Sequence, residues 1–274
     1  MSATWYGAPP PDFRTLTAWD YARAILRGVP LAVLVFGGLA VLMLIRLIER
    51  PLCGASRPVT PFITVFVCKL ALRILGICLS VAGSPLRGQG AVVANHASWL
   101  DIFVLNAVKR LYFVSKSEVA GWPGIGWLAR ATGTVFIQRD RAQAASQAQV
   151  FQQRLAAGHK LLFFPEGTSS DGRRVLPFKS TLFAAFFTPE LRDVLSVQPA
   201  TVNYTAPDGL DARFFGWWGD MDFGPHFLQV LAAPSGGQVH VTYHAPLKVS
   251  AFDDRKALSA ACETAVRSGF TKGQ

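Results

Sequence analysis

Ala91-Val92-Val93-Ala94-Asn95-His96-Ala97-Ser98-Trp99-Leu100-Asp101 is the stretch that decides the fold. A short apolar run ends on the polar pair Asn95-His96, and a helical pattern begins at or just after Ser98. Strand, loop and helix in that order form one α/β unit, and in open α/β sheets sites collect at the carboxyl ends of strands. His96 stands at such an end. Asp101 lies five residues on. With His96 on the loop and Asp101 in the first helical turn, the carboxylate reaches back to the imidazole and fixes its tautomer, as the acid of a Ser-His-Asp triad does. A bland reading competes: Ser98-x-x-Asp101 also has the spacing of a helix capping box, and His96 is then an ordinary loop histidine.

The same unit repeats outward. Residues 91–94, 111–114, 134–137, 161–164, 196–204 and 239–243 read as strands; 99–109, 124–131, 142–157, 181–187 and a tail over 253–268 read as helices, the tail with Ser250 and Asp253 at capping-box spacing. This alternation predicts an α/β fold, a largely parallel sheet flanked by helices. The strand over 161–164 runs into Pro165-Glu166-Gly167-Thr168-Ser169-Ser170, where Pro165 ends pairing and Gly167 permits a tight turn. Asp171, Arg173, Arg174 and Lys179 follow, which suits a pocket for a polar or anionic headgroup; read alone, the segment is also an ordinary turn.

The N-terminal third differs. An apolar run over 29–45 is bounded by Arg27 and Arg46, and a second over 62–82 is interrupted by Lys69 and Arg73, which share one helical face. The first is about the minimum length of a spanning helix, ~17 residues; the second reads as an amphipathic helix in the membrane interface. The expected organisation is a membrane-associated helical hairpin over 1–84 and a catalytic α/β domain over 85–274. Asp12 and Asp20 argue against a cleaved signal peptide.

Composition agrees with membrane contact: 51% of residues are hydrophobic, 16% are charged, and the net charge is +10. A basic chain favours anionic lipid or acidic carriers, while scattered Lys and Arg without a recognition motif exclude nucleic acid as partner. Cys53, Cys68, Cys78 and Cys262 form no metal-ligand spacing and read as small buried hydrophobes. No G-x-S-x-G, HExxH or Walker A sequence occurs, which weighs against serine hydrolase, zinc peptidase and nucleotide-hydrolase chemistry. His159, His226, His240 and His244 read as structural, and the cluster from Trp217 to Asp222 as packing or a wall of an acceptor site.

Taken together, Asn95-His96 with Asp101 and Phe164-Pro165-Glu166-Gly167-Thr168 with Ser170 resemble the glycerolipid acyltransferase family, which includes the 1-acylglycerol-3-phosphate acyltransferases. Lys116, Glu118, Pro123 and Gly126 resemble its intermediate block, Gly133 to Arg139 its G-x-x-F-I-x-R, and Gln198 to Val202 a weaker fourth block. The resemblance implies an O-acyltransferase needing no metal or cofactor, with His96 as general base and Asp101 orienting it. It places Asn95, Lys116, Arg139, Glu166, Gly167, Thr168, Ser169 and Lys179 around the substrate, with Glu166 and Arg139 holding the acceptor. Amides after His96 are expected to face the oxyanion. The implied donor is acyl-CoA or an acyl carrier protein, the acceptor a lysolipid, and the place the cytoplasmic face of a bacterial inner membrane. The first acceptor expected is 1-acylglycerol-3-phosphate, giving phosphatidic acid. Ser169 stands where the family has an arginine associated with the acceptor's phosphate, so a lyso-ornithine lipid is the alternative. The alternative of another class is a non-catalytic membrane lipid-binding protein.

Overall fold

The computed structural model describes residues 4–122, 124–137 and 144–270; Pro123 and Arg139 lie outside the described residues. The first apolar run is the middle of a much longer helix, α1 (Ala18–Cys53), of 36 residues, or about 54 Å. Thr17 and Asp20 start it with a reciprocal capping box, and Gly54 at φ 57° stops it. α2 (Thr60–Leu75) returns against it. The turn is fastened by buried Glu49, which accepts from Val59 N, Thr60 N, Thr60 Oγ1 and Arg46 Nη1 and so satisfies amides that open α2.

The stretch over 62–82 is not one interfacial helix. Gly76, in the left-handed region at φ 75°, closes α2 with its N–H on Leu72 and Arg73 carbonyls, and β1 (Cys78–Ala82) follows. Then come β2 (Gly90–Ala94), α3 (Asp101–Val108), β3 (Tyr112–Lys116), a 3-10 turn over Ser117–Gly121, α4 (Ile125–Thr132), β4 (Val135–Ile137), α5 (Ala144–Ala156) and β5 (Leu161–Phe163). A 3-10 segment over Ser180–Phe187 precedes α6 (Pro189–Arg192), β6 (Ser196–Thr205), α7 (Phe223–Ala232), β7 (Gln238–Tyr243), β8 (Leu247–Lys248) and α8 (Arg255–Ser268).

The sheet runs β1-β7-β6-β2-β5-β3-β4, with β8 also on β6. All pairs are parallel except β6 with β7 and β6 with β8. The largely parallel α/β architecture read from the sequence is therefore present. β2 is buried at all five positions, as a central parallel strand covered on both faces must be. Its side chains alternate: Val92 and Ala94 join α1, α2, α3 and α7 through Leu31, Leu72, Val104 and Leu231, while Ala91 and Val93 join α5, the 3-10 segment and α8 through Phe151, Phe183 and Leu258. The N-terminal helices are thus one layer of the same core, and β1 carries the sheet into the segment before residue 85.

Other differences from the sequence reading are local. Residues 180–187 wind as 3-10 helix and stop at Thr188, before Pro189, where the α conformation is disfavoured. α8 is capped by Asp254, which accepts from Lys256 N and Ala257 N, rather than by Ser250 with Asp253. Cys68 and Cys262 are buried, but Cys53 at the end of α1 and Cys78 on the edge strand are exposed.

Gly90 permits the closest approach in the sheet. A Cβ there would stand 2.2 Å from Ser196 O and 2.3 Å from Leu86 Cδ2. Gly90→Ala should therefore push β2 from β6 and lower stability by about 1–3 kcal/mol, read as a lower denaturant midpoint in detergent with an unchanged slope.

Candidate active site

β2 ends at Ala94, and the next two side chains turn opposite ways. Asn95 points back to the sheet: its Oδ1 accepts from Val202 N at 2.8 Å and its Nδ2 donates to Val202 O at 2.9 Å. It thereby extends the β2–β6 ladder with a side chain. His96 faces outward, its side chain 22% exposed, with its ring stacked on Phe164 at 4.0 Å between centroids and 9° between planes.

Asp101 opens α3 and is fully buried at 0% exposure. Its Oδ2 accepts from His96 Nδ1 at 2.7 Å, Ala97 N at 2.9 Å and Ser98 N at 3.1 Å, and its Oδ1 accepts from Tyr204 Oη at 2.7 Å. A carboxylate only accepts, so the His96 hydrogen sits on Nδ1 and Nε2 keeps its lone pair. Among the described residues no hydrogen bond occupies Nε2. The pairing read from the five-residue spacing is present, and part of the capping reading is present with it: Asp101 also accepts from Ser98 N and Ser98 Oγ accepts from Leu100 N, although Leu100, at the N-cap of α3, makes no side-chain cap. The amides of Ala97 and Ser98 are taken up by Asp101 and do not face an oxyanion.

The second motif clamps His96 from below. Gly167, at φ 73°, turns the chain with its N–H on Phe164 O. Glu166 Oε1 then accepts from His96 N at 3.0 Å, and Ser170 N donates to His96 O at 2.9 Å. The other Glu166 oxygen accepts from Leu176 N. Glu166 is 1% exposed, and burial pushes its carboxyl well above the usual carboxylate range, against the pull of those amides. Thr168 and Ser169 complete the turn, Ser169 buried, and Lys179 returns its N–H to Pro165 O. Lys116 ends β3. The structure thus brings His96, Asp101, Glu166, Gly167, Thr168 and Ser169 together, while Asn95 is engaged with β6.

Sequence reasoning missed Tyr204, fully buried on β6, which carries no local signal because its partner is 103 positions away. The cluster from Trp217 to Asp222, read from the sequence as packing or a wall of an acceptor site, belongs to a flank built by residues 214–222. Trp217 N donates to Ala97 O at 2.8 Å, and its ring meets Trp122 at 6.4 Å, so this cluster stands beside the His96 loop. A histidine held through Nδ1 by a buried carboxylate is suited to taking a proton from a weak nucleophile at Nε2, and among the described residues no side chain is hydrogen-bonded there.

The Acyltransferase family model matches residues 81–201. A lyso-ornithine lipid O-acyltransferase of Rhodobacter capsulatus is 57% identical over 97% of this chain and 96% of its own length. The chain belongs to the acyltransferase family. A lyso-ornithine lipid O-acyltransferase of Pseudomonas aeruginosa is 34% identical over 89% of this chain and 92% of its own, and a 1-acyl-sn-glycerol-3-phosphate acyltransferase of Neisseria gonorrhoeae is 41% identical over 42% of this chain and 46% of its own. The crystal structure of the 1-acyl-sn-glycerophosphate acyltransferase PlsC of Thermotoga maritima shares the fold, with a TM-score of 0.63 and 22% identity over 91% of this chain and 94% of that one. As a family member the chain is an acyltransferase that takes a lysolipid acceptor and an acyl donor, and it associates with membrane.

His226, on α7 behind this site, accepts from Trp99 Nε1 at Nδ1 (3.0 Å) and bonds Phe214 O through Nε2 (3.1 Å), so it is held neutral. Burial lowers its pKa from 6.5 to about 4. A depressed histidine pKa leaves the folded state with fewer protons than the unfolded one, so stability present above pH 6.5 is lost as pH falls towards 4, on the order of 3 kcal/mol. Chemical denaturation between pH 7 and 4 should show that fall, and His226→Gln should flatten it; His159, also lowered to about 4, supplies a remainder of the same sign.

Proposed function

We propose that the enzyme moves a fatty acyl group from a thioester to the hydroxyl of a lyso-ornithine lipid, with His96 as general base and Asp101 as its orienting acid. The observation that carries this reading is the bare Nε2 of a histidine whose Nδ1 is bonded to a buried carboxylate, beside a loop that has Ser169 in place of the phosphate-associated arginine. The acceptor hydroxyl oxygen attacks the thioester carbonyl while its proton passes to His96 Nε2. The tetrahedral intermediate then collapses, the C–S bond breaks, and the proton leaves with the thiolate as thiol. Products are an ester and a free thiol, with no oxidant or metal in the balance. Such base catalysis supplies about 10²–10⁴-fold.

Arg174 is one candidate substitute for the missing arginine, but its Nε and Nη2 hold both oxygens of buried Asp171. That pair leaves little net positive charge for a phosphate. Together with the Rhodobacter relative, it ranks lyso-ornithine lipid above 1-acylglycerol-3-phosphate. Glu166 and Asn95 act as positioning residues, since their polar atoms meet backbone groups.

The donor is an acyl thioester of coenzyme A or of an acyl carrier protein, which puts the site on the cytoplasmic face of the inner membrane. α1 is the described helix long and apolar enough to cross a membrane. Yet it packs on α7 near its start, through Leu31 and Leu231, and on α2 further along, while Leu26, Val33, Leu44, Leu47 and Leu52 face outward. A helix lying along the body with one apolar side open fits embedding in one leaflet. An apolar groove of about 490 Å3 between Gly37, Gly38, Val41, Phe62 and Phe66 suits an acyl chain.

The test is transfer from labelled acyl-CoA and acyl carrier protein to lyso-ornithine lipid and to lysophosphatidate, side by side. Transfer to lyso-ornithine lipid, lost at least about 100-fold in His96→Ala, is the expected outcome; transfer to lysophosphatidate alone overturns the acceptor assignment. Tyr204→Phe gives a separate readout. It removes a charge-assisted hydrogen bond and should lower kcat/KM about tenfold. A mere loss of packing would instead lower the denaturant midpoint and leave kcat/KM of the folded enzyme unchanged.

A further inference from the structure

Residues 4–16 form no helix or strand, yet they are bound to the body along their length. Arg14 Nη2 donates to Ala232 O, and Gln229 Nε2 to Arg14 O. Arg213 Nη1 donates to Pro9 O, Trp218 Nε1 to Ala8 O at 2.9 Å, and Tyr6 Oη to Asp220 Oδ1 at 2.8 Å. The strap ends on the second motif, with Trp5 N donating to Thr168 Oγ1 at 3.3 Å. Thr168 lies between Glu166 and Ser170, the two residues that hold the backbone of His96. The strap tip is therefore at the rim of the catalytic loop, beside Ser169.

Opposite charges flank that tip. On one side the Arg174 guanidinium lies 5.0 Å from the Trp5 ring centroid, its side chain 48% exposed. Asp171 engages Nε and Nη2, and among the described residues no hydrogen bond engages Nη1. On the other side Asp220 is exposed and meets Tyr6 Oη, and no Lys or Arg among the described residues pairs with it. Trp5 and Trp218 fill the space between, 6.2 Å apart. Arg174 is half-neutralised by Asp171, and Asp220 carries a negative charge that repels a dianionic phosphate. They match a headgroup with one negative and one positive charge. Ornithine acylated on one amine keeps its carboxylate and its other amine as an ammonium.

We propose that the strap tip is the wall of the acceptor headgroup pocket, where Arg174 Nη1 takes the carboxylate and Asp220 the ammonium of a zwitterionic amino-acid headgroup. The assignment rests on the function proposed above and names the residues that read its acceptor. Asp220 and Arg174 act on binding and orientation, not on the proton transfer.

The test uses the full-length enzyme in mixed micelles with lyso-ornithine lipid, the same lipid acetylated on its free amine, and the same lipid with a carboxamide for its carboxylate. Wild type should prefer the zwitterion over each analogue by about tenfold or more in kcat/KM, mainly through KM. Asp220→Asn should lose the preference over the acetylated lipid and keep the preference over the carboxamide. Arg174→Gln combined with Asp171→Asn, which avoids stranding a buried carboxylate, should do the reverse. Unchanged preferences in both variants overturn the proposal while leaving the acceptor assignment intact. Wild-type transfer to lysophosphatidate and to none of the ornithine lipids overturns the acceptor assignment, and the pocket with it.

Discussion

A single buried carboxylate organises the site. Asp101 is removed from water, which is costly for an ion unless its lone pairs are met. Four donors meet them: an imidazole, two consecutive amides and a phenol. Satisfying that charge fixes the path of the chain. Ala97 and Ser98 must present their N–H groups inward, so the loop after β2 wraps around the acid before α3 begins. The wrapping turns His96 outward with Nδ1 bonded and Nε2 bare. Tyr204 must lie opposite, which ties the loop to β6. Charge-assisted bonds of this kind are about twice as strong as neutral ones, so the arrangement is set before any substrate arrives.

The second motif works by holding backbone. Glu166 and Ser170 grip the N–H and carbonyl of His96 while Phe164 stacks under its ring. The polarity of Pro165 to Ser170 suggests a headgroup pocket in the sequence, but its buried acid faces the protein. Positioning of this kind matters to a transfer reaction because an alcohol and a thioester react only when aligned, and alignment supplies much of the barrier reduction.

What the sequence made legible follows from distance along the chain. The pairing of His96 with Asp101 spans five residues and needs only a strand end and a helix start. The strands also declared themselves, because parallel strands buried on both faces are uninterrupted apolar runs. Contacts across the sheet left no such trace. Asn95 with Val202 and Tyr204 with Asp101 depend on β2 lying beside β6, which local patterning does not specify. The 62–82 stretch failed for another reason. Its average hydropathy is uniform, and the break is one left-handed glycine, Gly76, after which the same kind of residues pair as β1. α7 was overlooked because Gly224 and Pro225 interrupt its first turn in the text, although proline there lacks only an N–H that the first turn leaves unpaired.

The N-terminal segment joins two tasks that a sequence reading keeps apart. One face of α1 is apolar and open, while its inner side carries Arg23 and Arg27, which with Arg14 donate to the last carbonyls of α7. Cations at a helix C-terminus are favourable, so these arginines bind the strap and the start of α1 to the body instead of leaving them to lipid. If the open apolar face of α1 enters the membrane as proposed, pinning its other side at α7 holds the strap tip at a fixed depth relative to the bilayer surface. The acceptor hydroxyl, the headgroup and the acyl chain of a lysolipid are also at fixed depths. On the proposed reading, the serine at position 169 is intelligible: recognition of the headgroup falls to Arg174 and Asp220, on either side of the strap tip.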